Sequence, residues 1–262
     1  GEVMVGSWEY EDYAKNFDGG LGWVSAGSGR IDLTGKPLGE ALYTRVALEK
    51  DNGPYIVVCP VNHTGDRHSP SAWKMTNAMP SWSWTGCEGQ KASIEVYARA
   101  ARVELWLNGR IIGRKALKND CLAKFSVTYE PGKLEAVSYD ARGCELGRCT
   151  LTTAGQQTQI TAGPEQSSVQ AGHLCYIRLC YTDEKGITKP LARGNIKVEV
   201  DGGTLVGLGN ACPYHERSYL DCVADTYYGE ALAIVRAGEG NSLTLTADDG
   251  MYSTAVTVPV TR

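Results

Sequence analysis

Residues 102–112, RVELWLNGRII, determine the fold class of this chain. Val103, Leu105 and Leu107 alternate with charged residues and a tryptophan, which is the two-residue period of a β-strand with one buried face. Asn108-Gly109 ends the run, and this dipeptide accepts the two positive φ angles of a type I′ turn. A second apolar run begins at Ile111, so the stretch predicts a β-hairpin.

Further alternating runs on both sides of this hairpin predict a first β-sandwich over residues 91–153. After a short linker, Ala154-Gly155-Gln156-Gln157, seven more short runs predict an immunoglobulin-like sandwich over residues 157–262. In the run from Leu174 to Tyr181, the pattern predicts that Cys175, Ile177 and Leu179 share the buried face.

The first 53 residues have a different pattern. The opening run EVMVGSW predicts a short strand that ends at Trp8. A glycine-rich loop follows, and apolar residues at helical spacing then predict a helix from Pro37, in its first turn, to about Lys50. One strand and one helix cannot bury their apolar faces alone. Because the chain also starts within a strand and without Met, we expect it to be a piece of a longer protein.

Residues 54–90 are predicted to form a long connecting segment. The segment begins with the strand-like run at 55–58 and carries Trp73, Trp82 and Trp84. An irregular segment of this length is expected to be packed against another element or to be functional. Trp82 and Trp84 have two interpretations: a carbohydrate platform, or a contact with a neighbouring domain, which we favour.

Composition excludes several classes of partner. The net charge is −4 without a concentrated basic segment, which argues against nucleic acid and anionic membranes. No apolar run approaches the ~20 residues of a membrane span. The nine cysteines are odd in number and lack a CxxC pair, so we expect free, buried thiols rather than a zinc site or disulfides. This cysteine usage favours a cytoplasmic location, and no metal or cofactor is expected.

Four motifs in order resemble glycoside hydrolase family 2, in its β-galactosidase-like group. Residues 6–13, GSWEYEDY, resemble the family's last barrel strand, and residues 29–37, GRIDLTGKP, resemble the segment before its final barrel helix. Residues 103–115, VELWLNGRIIGRK, resemble the sandwich after the barrel, and residues 205–210, LVGLGN, resemble the terminal sandwich. The family often continues the last motif as G-N-G-D/N-P, whereas this chain has Ala211-Cys212-Pro213.

The resemblance implies a mainly β fold: two immunoglobulin-like β-sandwiches preceded by the last strand and helix of a TIM barrel, residues 1–53. It implies a parent that hydrolyses terminal β-linked sugars with retention, through two glutamates on earlier barrel strands. This chain would then contain no catalytic residue and be inactive alone. Trp8 would form the floor of a sugar subsite and Asp12 would assist there. The carbohydrate substrate would be its partner in the intact enzyme, and a homo-oligomer stays open.

Several alternatives stay open. Glu9 and Glu11 would lie about 6–7 Å apart on an extended segment, a distance compatible with an acid–base pair, although we favour solvated or ion-paired acids of a loop. His63 and His68 flank Asp66 as loosely spaced metal ligands. Trp106 is either partly exposed or buried against another domain. The rival to a glycosidase fragment is a tandem carbohydrate- or protein-binding module, and a third interpretation is a structural spacer.

Overall fold

The structure is a computed structural model that describes residues 29–65, 75–213 and 217–262. The fold is mainly β, as predicted. The chain divides into two units, Gly1–Thr153 and Ala154–Arg262, and each contains sheets of the predicted sandwich type. Among the described residues, no helix is long and apolar enough to cross a membrane.

The first unit contains one described α-helix and seven described strands. They are α1 Gly39–Ala47, β1 Tyr55–Val58, β2 Lys91–Tyr97, β3 Arg102–Leu107, β4 Arg110–Ala116, β5 Leu122–Thr128, β6 Lys133–Tyr139 and β7 Glu145–Thr152. The strands form two antiparallel sheets in the orders β1-β2-β5 and β4-β3-β6-β7.

The hairpin of β3 and β4 is confirmed. Asn108 and Gly109 have φ angles of 51° and 77°, as a type I′ turn requires. Val103 and Leu105 are fully buried, and Leu107 is 2% exposed, because the period of two directs all three to the same face. β1 of one sheet contacts β6 and β7 of the other. The two sheets therefore pack together, and Val103, Leu105 and Leu107 belong to the buried core of the first unit.

Helix α1 packs on the outer face of the sheet β1-β2-β5. Val46 joins Val57, Tyr97 and Cys121 in one buried apolar cluster, and the ring centroid of Tyr43 lies 5.4 Å from that of Tyr97 in an edge-to-face arrangement. The apolar face of the helix is therefore buried against a sheet of its own unit.

The helix is shorter than predicted at both ends. Its first helical residue is Gly39, because Leu38 has an extended backbone and Pro37 forms a bridge with Ile31. Placing Pro37 in the first turn was therefore wrong. The helix ends at Ala47, since Glu49 has a φ of 56°. The strand predicted to end at Trp8 lies outside the described residues.

The segment 54–90 contributes directly to the first sandwich. Tyr55–Val58 pairs antiparallel with β2, so that Tyr55 lies opposite Tyr97. Trp82 and Trp84 are 1% and 0% exposed. The outer edge of β1 is occupied by a two-hydrogen-bond bridge between Val58 and Met79.

The second unit contains nine described strands. They are β8 Gln159–Pro164, β9 Val169–Gln170, β10 Leu174–Thr182, β11 Asn195–Asp201, β12 Gly203–Gly209, β13 Val223–Asp225, β14 Glu230–Ala237, β15 Ser242–Asp248 and β16 Ser253–Thr261. Their sheet orders are β12-β14-β10-β8 and β13-β11-β15-β16-β9, and only β9 pairs in parallel, with β16. Cys175, Ile177 and Leu179 are fully buried, which confirms the predicted inward face of β10.

Residues 155–158 are fixed to the second unit. The backbone N–H of Gly155 donates to Oδ2 of Asp183 at 2.7 Å. The Lys189 ammonium donates to the carbonyl oxygens of Gln156 and Gln157 at 2.9 and 2.7 Å. The segment that the sequence predicts as a linker thus has a hydrogen-bonded backbone.

Candidate functional site

The two residues predicted to bind substrate, Trp8 and Asp12, lie outside the described residues, as do Glu9 and Glu11. The structure therefore does not test their roles. At four places, groups of described polar residues have contacts that bear on function.

The first place is the loop before helix α1, where the motif GRIDLTGKP is found. Oδ1 of Asp32 accepts hydrogen bonds from the backbone N–H of Thr34 at 2.8 Å and of Lys36 at 2.9 Å. Gly35 follows with a φ of 82°, a conformation that favours glycine. Asp32 is 8% exposed, and its bonds organise a turn. Asp32 therefore stabilises the backbone of this loop through hydrogen bonds.

The second place is the seam between helix α1 and the sandwich. Glu40 is 8% exposed, and its Oε1 accepts the backbone N–H groups of Met75 and Thr76, the latter at 3.1 Å. A Cβ on Gly39 would lie 2.4 Å from the carbonyl oxygen of Ala78, so the backbones approach too closely for a side chain. The start of the helix is thereby joined to the segment that bridges β1.

Arg99 holds the other end of the same helix. Its Nη2 donates to the carbonyl oxygens of Val46 and Ala47 at 3.2 and 3.1 Å, in the last helical turn, where carbonyl groups lose their ordinary helical partners. The Val46 carbonyl also accepts the backbone N–H of Glu49 at 3.2 Å. Its Nη1 lies 3.3 Å from Oε1 of Glu49. Sequence reasoning missed Glu40 and Arg99. An acid in the first helical turn was the only available signal.

A buried acid lies beside this seam. Glu95 is 5% exposed and receives the Tyr97 hydroxyl at 2.5 Å and the Lys124 ammonium at 3.0 Å. Burial, followed by the charge of Glu95, raises the pKa of the Cys59 thiol to about 11. Cys59 is therefore protonated at neutral pH, and a thiol in that state is a poor nucleophile.

The third place is the outer face of the sheet β4-β3-β6-β7, where Trp106 lies opposite Glu135. Glu104 is bound by Arg114 at 3.0 Å and by Arg102 at 3.4 Å. Glu135 is bound by Lys133 at 2.8 Å, whose hydrogen bond lowers the carboxyl pKa below its ordinary value. Trp106 is half-buried, and its indole Nε1 is buried without a hydrogen-bond partner. The carboxylates of Glu104 and Glu135 are therefore paired with cationic side chains.

Trp82 and Trp84 form no sugar platform, because they are 1% and 0% exposed. The Trp82 indole donates to the carbonyl of Glu130 at 3.0 Å, and its ring lies edge-to-face with Tyr129 at 4.8 Å. The backbone N–H of Trp84 donates to the Tyr129 hydroxyl at 2.9 Å. Both rings are buried inside the first unit, so the platform interpretation is wrong. Trp82 and Trp84 anchor the segment 54–90 to the first sandwich.

The fourth place is the loop after β12, which begins at Asn210. Its Nδ2 donates to the Oδ1 and the carbonyl oxygen of Asp225 at 2.9 and 3.0 Å, and its Oδ1 accepts the N–H of Cys212 at 2.8 Å. Asn210 is 3% exposed. Its amide is fully engaged with protein groups, which makes it a loop anchor.

Metal chemistry finds no support in the described part of the chain, where no group of three or more potential ligands occurs. His63 lies in a short 3₁₀ helix, whereas Asp66 and His68 lie outside the described residues. All nine cysteines are free thiols.

Two family models match the chain. Residues 159–257 match the glycoside hydrolase family 2 C-terminal domain 5, and residues 89–147 match a domain of unknown function, DUF4982. The chain has the C-terminal architecture of glycoside hydrolase family 2. The motif resemblance is therefore confirmed at the level of the family.

Solved structures of this family have the same fold. Two structures described as glycosyl hydrolase family 2 members, both from Bacteroides cellulosilyticus, are 29% and 26% identical to this chain, with TM-scores of 0.77 and 0.82. They align with 88% and 94% of this chain. A curated protein of Formosa agariphila, named "Putative beta-glucuronidase", is 33% identical over 90 residues.

The chain spans about a third of the length of the two family 2 structures, 32% and 34%. It aligns over 33% of its own length with 9% of the Formosa protein. What these relatives do as whole proteins therefore depends on further residues.

Five described carboxyl groups have electrostatics that do not suit a family 2 acid catalyst. Such an acid needs a raised pKa. Several described carboxyl groups have a lowered pKa instead: Asp51, Glu135, Asp183, Glu199 and Asp249. At Asp183, burial acts to raise the pKa, but backbone hydrogen bonds from Gly155, Ile187 and Lys185 outweigh it. These groups stay ionised and hold backbone or cations.

Proposed function

We propose that this chain is the non-catalytic C-terminal part of a retaining β-glycosidase. The match of residues 159–257 to the family 2 C-terminal domain carries this proposal. In the proposal, the nucleophile and the acid–base glutamate lie upstream of Gly1, and hydrolysis proceeds by double displacement. The contacts of Glu40, Glu135 and Asp183 fit this division, because these carboxylates bind backbone groups or cations of their own unit.

Trp8 and Asp12 belong to the substrate site in this proposal. An indole face at the end of the last barrel strand packs on the C–H face of a sugar ring, which binds and orients it without breaking a bond. The sandwiches support the barrel, border the substrate cleft or form a subunit contact.

The substrate class is a terminal β-galactoside, which rests on the β-galactosidase-like sandwich motif at residues 103–115. A β-glucuronide is the second candidate. It is favoured by the name of the Formosa protein, 33% identical over 90 residues.

The test is turnover of a panel of aryl β-glycosides by this chain and by the longer protein that contains it. We expect no hydrolysis by the chain, and hydrolysis of a β-galactoside or β-glucuronide by the longer protein. Incubation of the chain with a mechanism-based fluorosugar should leave its mass unchanged. A covalent glycosyl adduct on the chain, or a longer protein inactive on every β-glycoside, would overturn the proposal.

The rival function, a tandem binding module, requires exposed coplanar aromatic rings on one sandwich face. Over residues 29–65, 75–213 and 217–262, Tyr219 is the only aromatic among the exposed large apolar side chains, at 38%. A glycan array probed with the full chain tests the rival, which gains support if a defined oligosaccharide binds.

A further inference from the structure

Helix α1 is attached to the first sandwich more extensively than apolar packing requires. Glu40 joins its first turn to residues 75–76, and Arg99 joins its last turn to the connection between β2 and β3. Between these ends, the ring of Tyr43 lies edge-to-face with Tyr97 of the sheet, with the ring centroids 5.4 Å apart. The attachment thus has three points along a helix of nine residues.

Arg99 forms hydrogen bonds to carbonyl groups at the helix end in addition to its ion pair with Glu49. Its backbone N–H also donates to the carbonyl of Asn52 at 2.9 Å, so the residue holds both the last helical turn and the chain that leaves it. The side chain of Arg110, in the hairpin of the same sandwich, pairs with Glu130 at 3.3 Å. The two arginines share the same carboxylate distance, 3.3 Å, and differ in their bonds to helix carbonyls.

From this geometry we infer that Glu40 and Arg99 are positioning residues of the parent glycosidase. The inference rests on the proposed function, in which α1 is the final helix of the catalytic barrel. Because both ends of the helix are held, its position relative to the first sandwich is fixed. In the βα unit of the parent barrel, the position of the helix then determines where the preceding strand joins the barrel. Neither residue touches substrate. They act through the helix, so the sandwich determines how the last barrel strand is presented.

The first measurement is hydrogen exchange on the 262-residue chain. Arg99→Met removes the donors and keeps the aliphatic length, and Arg110→Met is the matched control. We expect amides of residues 43–48 to lose protection by about tenfold or more in Arg99→Met, while β3 and β6 keep theirs. Arg99→Lys should restore part of this protection. Should Arg99→Met fail to fold, Glu40→Ala gives the same test at the other helix end.

The second measurement uses the longer protein. At a temperature well below unfolding, Arg99→Met should raise KM for an aryl β-glycoside by about tenfold, since a misplacement of about 1 Å can cost up to about 100-fold. Hydrogen exchange of residues 1–28 should accelerate in the same variant and stay unchanged in Arg110→Met. Unchanged exchange in residues 1–28 would overturn the inference, whether or not the wild type is active. An inactive wild type would refute the proposed function alone.

Discussion

The hydroxyl of Tyr97 lies 2.5 Å from Oε2 of Glu95, two residues earlier on the same strand. In a β-strand, residues i and i+2 project from the same face, so the pair lies together on the face that helix α1 covers. Glu95 is 5% exposed, and burying an ionised carboxylate is costly unless it is hydrogen-bonded. The hydroxyl and the Lys124 ammonium together make this burial tolerable.

Tyr97→Phe should therefore destabilise the first unit. The substitution leaves one oxygen of Glu95 buried without its donor, at a cost of about 1–3 kcal/mol in the free energy of unfolding. All six tryptophans precede residue 107, so tryptophan fluorescence during urea unfolding reports on the first unit.

Tyr55→Phe is the matched control. Tyr55 lies directly opposite Tyr97 in the sheet, and its hydroxyl also donates to a carboxylate, Oδ2 of Asp51, at 2.8 Å. Asp51 retains Arg45 and water, because its side chain is 29% exposed. We expect a smaller loss, under about 1 kcal/mol. Equal losses in the two variants would contradict the role given to burial.

Asp183 predicts an acid-sensitive second unit. Its folded pKa lies below the ordinary value of 3.8, because hydrogen bonds from Gly155, Ile187 and Lys185 outweigh the effect of burial. The stabilisation is therefore complete well above pH 3.8 and is lost as the pH falls through the folded pKa. At pH 7, Asp183→Asn should lower the free energy of unfolding by about 1–3 kcal/mol.

Hydrogen exchange of β10 amides measures this loss in the second unit. The difference between Asp183→Asn and wild type should shrink as the pH is lowered below 3.8. Asp201→Asn replaces an exposed acid at the end of β11 and should change neither the protection at pH 7 nor its pH dependence. A difference that is constant with pH would contradict the linkage.

The sequence predicted the strands well, because many of them, such as β10 and β15, alternate between buried and more exposed residues. The hairpin at Asn108-Gly109 is the clearest case. It did not predict β9 or β13, since strands of two and three residues contain too little alternation to detect. The position of the tryptophans also escaped prediction. Whether Trp82 faces sugar or core depends on Tyr129 and Glu130, 47 and 48 residues away.

The candidate site was harder to predict for the same reason. The motif aspartate Asp32 and the motif asparagine Asn210 could be found from their spacing, but their bonds to backbone could not. Glu40 and Arg99 belong to no motif, and their partners are brought together only by the packing of α1 on the sheet. Long-range pairing of polar groups thus limits what local patterns reveal.

The nine free thiols should differ widely in reactivity. Cys144 and Cys222 are exposed, whereas burial raises the pKa of Cys59 to about 11 and of Cys175, Cys87 and Cys149 above the ordinary value. Because the thiolate is the reactive species, a limiting pulse of iodoacetamide at pH 7.5, read by peptide mass spectrometry, should label Cys144 and Cys222 first. In urea all sites should react alike, and early labelling of Cys59 in the folded chain would contradict the burial.

Gly113 tests the packing of the first sandwich. A Cβ at this position of β4 would lie 2.6 Å from Cδ1 of Phe125 on the facing sheet, and Phe125 is 8% exposed. Gly113→Ala should therefore destabilise the first unit by about 1–3 kcal/mol, the range for overpacked cores, measured by tryptophan fluorescence.

Gly163→Ala is the control, because open space surrounds that strand glycine, and hydrogen exchange of the second unit should not accelerate. Adding Phe125→Leu to Gly113→Ala should recover part of the loss, and additivity of the two effects would show that the ring is not the obstacle.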